Sequence, residues 1–109
     1  MGNFRVNVSD AVVDVMCEGA FTPEDAQAFL ADFNKKVATI TPSKYHLSLD
    51  ASKLAVSPAE MQEMLKGCLS LYKSLGFGRI SLNVGTNVIV KMQLQRLAKE
   101  VGLNSIEIL

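Results

Sequence analysis

Tyr45-His46-Leu47-Ser48-Leu49-Asp50 decides the fold, because apolar and polar residues alternate along it without a break. Successive side chains of a strand point to opposite faces, so Tyr45, Leu47 and Leu49 face one way and His46, Ser48 and Asp50 the other. The same period recurs on both sides of this stretch. Upstream, Phe4, Val6 and Val8 alternate with Arg5 and Asn7, and Val13, Val15 and Cys17 alternate with Asp14 and Met16. With a short Ser9-Asp10 turn between them, the two runs predict a β-hairpin. Downstream, Ile80, Leu82 and Val84 alternate with Ser81 and Asn83, and residues 105–109 read as a last strand with Ile106 and Ile108 inward. Strands covered by helices on both faces are almost continuously apolar, and none of these is.

The intervening segments carry the helical period instead. Thr22-Pro23-Glu24-Asp25 supplies a capping oxygen, a proline for the first helical position and two acids against the helix dipole. The stripe that follows is Ala26, Phe29, Phe33, Val37 and Ile40, with Leu30 at its margin, and Thr41-Pro42-Ser43 ends it. After a loop expected over residues 51–56, Ser57-Pro58-Ala59-Glu60 has the spacing of a capping box. It opens a helix whose apolar face is Met61, Met64, Leu65, Cys68, Tyr72 and Leu75, with Leu69 at the edge and Gly76 and Gly78 as the stop. A third helix follows Gly85-Thr86-Asn87, with Val90, Leu94, Leu97, Ala98 and Val101 inward and Gly102 at its end.

The expected order is therefore ββαβαβαβ, an α/β domain spanning residues 1–109. A β-hairpin is followed by parallel strands joined through right-handed crossovers. Strands that are apolar on one side only place the three helices mainly on one face, as in a short β-α superhelix. The other face is expected to carry Arg5, Asn7, Asp14, His46, Ser48, Asp50, Ser81, Asn83 and Glu107.

Composition narrows the function. A chain of 109 residues fits one domain, and its eleven basic and eleven acidic residues cancel, which argues against nucleic acid or an anionic membrane as partner. No apolar run is long enough to span a bilayer and the N-terminus lacks a signal-peptide pattern, so a cytoplasmic protein is expected. Cys17 and Cys68 have no paired spacing and His46 is the single histidine, which argues against zinc. Both cysteines read as small buried hydrophobes. Gly76-Phe77-Gly78 follows a helix, the wrong side for a phosphate cradle, and no cofactor is expected. His46, Ser48 and Asp50, with Asp14, Ser81 or Asn83 beside them, contain hydrolase residue types, but a flat sheet face gives no water-excluding site. No catalytic residue is assigned. Val88, Ile89 and Met92 lie off the stripe of the third helix and are expected to be exposed near its start, at the same end of the sheet as Thr22 and Ser57.

The whole pattern resembles the STAS domain, found in bacterial anti-sigma factor antagonists and in sulfate-transporter cytoplasmic tails. The likeness rests on the opening hairpin, the phrase Leu47-Ser48-Leu49-Asp50-Ala51-Ser52-Lys53-Leu54, the capped helix after it, and residues 80–85 leading into a last helix and strand. It implies a non-enzymatic regulatory module whose third-strand loop and following helix dock on a kinase or another regulatory protein. The partner-binding residues implied are Ser57, Pro58, Ala59 and Glu60, to which the exposed Val88, Ile89 and Met92 are added; a homodimer would use the same patch. Switching members phosphorylate a serine at the start of that helix. Here Ala59 or Pro58 stands at its place, leaving Ser57 as the candidate phosphorylation site, with an N-cap as its other reading. A second reading is a small-molecule or lipid-binding module, since CRAL-TRIO-type domains share the superhelix, although this chain is short for their pocket.

Overall fold

The computed structural model describes residues 2–55, 58–103 and 106–108. It is an α/β fold with strands β1 (Asn3–Ser9), β2 (Val12–Gly19), β3 (His46–Leu54), β4 (Arg79–Asn83) and β5 (Ile106–Ile108). The helices are α1 (Pro23–Val37), α2 (Ala59–Leu75) and α3 (Val88–Glu100), and a 3-10 turn covers Pro42–Lys44. The sheet order is β1-β2-β3-β4-β5, antiparallel between β1 and β2 and parallel thereafter.

The hairpin register pairs Phe4 with Cys17, Val6 with Val15 and Val8 with Val13, which puts the apolar set of both strands on one face. Its turn is Asp10-Ala11 rather than Ser9-Asp10, because Ser9 is still paired with Val12 and Ala11 takes a φ of 59°. From β2 onward each strand is added one place further in the same direction. Crossovers of one hand then put α1, α2 and α3 on the same side. Ala26, Phe29, Phe33 and Val37 of α1, Cys68, Leu69 and Tyr72 of α2, and Val90, Leu94, Leu97 and Ala98 of α3 are buried. Arg5, Asn7, Asp14, Asp50, Asn83 and Glu107 are exposed on the opposite face.

The helix ends follow local chemistry. Thr22 Oγ1 accepts from Asp25 N at 3.2 Å while the Asp25 carboxylate accepts from Thr22 N at 3.0 Å, a full capping box that the sequence pattern showed only in half. The same carboxylate oxygen accepts from Gly2 N at 3.0 Å, tying the start of the chain to α1. α2 begins at Ala59 with Pro58 at the cap position, one residue later than expected, because Pro58 is still extended and its carbonyl is the acceptor for Gln62 N. The serine of the expected box, Ser57, lies outside the described residues. Gly76 ends α2 in the left-handed region at φ 72°. Leu69 is fully buried rather than marginal, since α2 packs against α3 as well as the sheet.

The largest departure is in β3. Residues 51–54 continue the strand where a loop was expected, through a register shift against β2: Met16 pairs with Asp50, but Glu18 pairs with Lys53. The extra residue is a bulge, and it turns both Ala51 and Leu54 inward where strict alternation would have pointed Leu54 out. Asp50 secures it, its carboxylate accepting from Ser52 N at 3.0 Å and Ser52 Oγ at 2.6 Å. At the other end of the strand Tyr45 closes the 3-10 turn instead of pairing.

One-sided burial has a direct test. Leu47→Ala, at a fully buried position in the central strand, should lower unfolding free energy by about 2–5 kcal/mol in urea titration. Asp14→Ala, on the open face of the adjacent strand, should change it by less than about 0.5 kcal/mol.

Candidate functional site

In a β-α unit the helix starts where the strand ends, so the carboxyl edge of the parallel strands gathers the beginnings of all three helices. This is also where ligands of open α/β sheets are ordinarily held. Val88, Ile89 and Met92 are 64%, 59% and 63% exposed there, as their position on the helical wheel predicts. Val88, Met92 and Arg96 recur at four-residue spacing and share one stripe. Arg96 in that stripe hydrogen-bonds Gln62, one turn into α2, so the apolar patch lies on the flank of α3 that faces α2. Pro58, Ala59 and Glu60, all exposed, begin that neighbouring helix. Asn87 secures α3, its side chain accepting from Val90 N at 3.1 Å.

The open face of the sheet holds a different set. His46 Nε2 and Ser81 Oγ are 2.7 Å apart, and Ser81 is only 7% exposed, which corrects its expected place on a solvated face: the imidazole covers it. The pair has nucleophile-and-base spacing, yet the order of groups differs from that of a Ser-His-acid triad. Ser81 pairs with Glu107 on β5 while His46 stands on β3, so the serine lies between histidine and acid, and the acid cannot orient the imidazole. Both Glu107 oxygens are taken by Arg79, at 2.5 and 3.0 Å, and this pairing holds the carboxyl below its usual range. Asp50 is likewise lowered, by its bonds from Ser52. A shallow hollow at the bulge is lined by Arg5, Glu18, Asp50, Ser52 and Lys53, charges of both signs that balance one another.

Cys68 is buried and Cys17 is half-buried, a correction to the fully buried reading of the latter. Burial pushes the Cys17 thiol up to about 12, with Cys68 and Asp50 adding repulsion, and pushes Cys68 up to about 11. Both are poor nucleophiles at neutral pH. No three His, Cys, Asp or Glu side chains among the described residues are grouped to hold a metal ion. Among these residues no helix is long and apolar enough to cross a membrane. In comparisons with known proteins, no family model matches the chain and no curated protein is significantly similar to it.

The thiols give a signed pH dependence. Their folded values lie above the ordinary 9.0, so the stability they contribute is complete below pH 9 and is lost as pH rises through the window to about 12. Urea midpoints should fall on going from pH 8 to pH 10.5, and fall less steeply in Cys68→Ala than in the parent chain. Alkylation by iodoacetamide at pH 8 should be slow for the folded chain and fast once urea unfolds it.

Proposed function

We propose that this chain is a non-enzymatic regulatory module that binds another protein, built on a STAS-like β-α superhelix and working in the manner of anti-sigma factor antagonists. The observation that carries the reading is the trio Val88, Ile89 and Met92, three large apolar side chains held in water beside the start of α2. Exposed apolar surface beside a polar rim suits a partner's apolar hollow. Glu60 at the start of α2 supplies a polar edge beside the exposed Pro58 and Ala59, and the balanced charge of the chain leaves contact, rather than long-range steering, to select the partner. A kinase or another regulatory protein is the partner class proposed. The mechanism needs no cofactor and no bond-making step: occupation of the patch changes which surface of the partner remains free. The sequential strand order and one-sided helical layer also support the family reading.

Val88→Glu/Met92→Glu tests this. Both sites are already exposed, so the double variant should keep its unfolding free energy within about 0.5 kcal/mol of the parent. It should lose the specific protein that the parent captures from its native host. Sedimentation at rising concentration distinguishes a second copy of the chain as the occupant. Retention of every captured protein by the double variant would sink the docking reading, as would turnover of a substrate that depends on His46 or Asp50.

A further inference from the structure

Between the sheet and the first halves of α1 and α2 lies a cavity of about 70 Å³. Its walls include Ala51 of β3, Ala26 and Phe29 of α1, and Met61, Met64 and Leu65 of α2. The cysteines, Cys17 and Cys68, line it as well. The volume exceeds the roughly 10–15 Å³ of such space that one water requires, but a water needs two to four polar partners, and apart from Asp50 and Tyr72 these walls are alkyl, aromatic and thiol. A largely apolar space of this kind holds water weakly and takes up apolar guests.

Side-chain size explains why the space exists. Ala26, Ala51 and the two cysteines are small residues at buried or half-buried positions, where a leucine at any one would close much of the gap. The methionines of α2 are unbranched and adjust their shape around a guest. Phe21, Met64 and Leu65 line the space and are only half-buried, so they mark its route to solvent. Asp50 also borders it and is exposed, with its carboxylate held by Ser52. A fixed negative charge at the rim repels a carboxylate head.

We infer that this cavity is a binding site for a short, uncharged aliphatic molecule, its alkyl end between α1 and α2 and any polar head toward Asp50. The inference goes beyond the docking reading and does not depend on it.

Methyl-resolved NMR of the full chain, titrated with xenon, 1-butanol and butanoate, tests it. Xenon and 1-butanol should give saturable shifts at Leu49, Leu54, Leu65 and Leu69, with butanoate at least about tenfold weaker. Ala26→Leu should abolish the saturable shifts without lowering the unfolding midpoint, and Leu65→Ala, which widens the space, should strengthen xenon binding. Absence of saturable shifts with xenon and 1-butanol in both the parent chain and Leu65→Ala would overturn the site. Equal binding of butanoate and 1-butanol would overturn the assignment to uncharged molecules. Binding that survives in a folded Ala26→Leu would place the guest elsewhere and overturn the site as well.

Discussion

Leu47 stands in register between Val13 on β2 and Ile80 on β4, and Leu49 between Val15 and Leu82. These two rows of aliphatic side chains cross the middle of the sheet, and a single layer of helices covers them. Each such side chain contributes roughly 1.5–3 kcal/mol on burial, so the rows outweigh any individual polar contact in the molecule. They also fix register, because a slip of one residue would move a whole strand's apolar set into water. The aromatic side chains extend the same core sideways: Phe33 meets Phe29 and Tyr72 at centroid distances of 5.7 and 5.3 Å, joining α1 to α2 across the gap between them.

Much of this was legible because alternation and the helical stripe are local patterns. Ala26, Phe29, Phe33 and Val37 of the expected α1 stripe are the buried set observed, while Ile40 falls beyond the helix, which ends at Val37, and is half-buried; the off-stripe Val88, Ile89 and Met92 are the exposed large hydrophobics. What escaped the sequence depends on partners distant along the chain. The β3 bulge is invisible to a period-two reading, since Ser52-Lys53 interrupts the apolar sequence just as a loop would. The clamp from Asp25 to Gly2 joins residues 23 positions apart, and the burial of Ser81 depends on a histidine 35 positions away. Leu69 looked marginal because a single helix wheel cannot show that α2 has a second neighbour, α3.

Several of the carboxylates are committed to hydrogen bonds within the chain. Asp50 is bonded to Ser52, Glu107 to Arg79 and Asp25 to two backbone amides. Both thiols are held in their protonated form by burial. Two apolar features lie at the carboxyl edge of the sheet: the patch on α3 outside and the cavity beneath α2 inside.

The cavity has its origin in the bulge. By inserting one residue, β3 turns Ala51 and Leu54 toward α2 while leaving Asp50 at the surface, so the strand ends with small and large inward side chains side by side. Leu54 supplies one wall of the space and Ala51 fails to fill it. With every residue kept but no bulge, strict alternation would point Lys53, not Leu54, into the core. The carboxylate of Asp50 then does more than decorate an exposed surface: by accepting from both groups of Ser52 it holds the irregularity from which the cavity takes its shape.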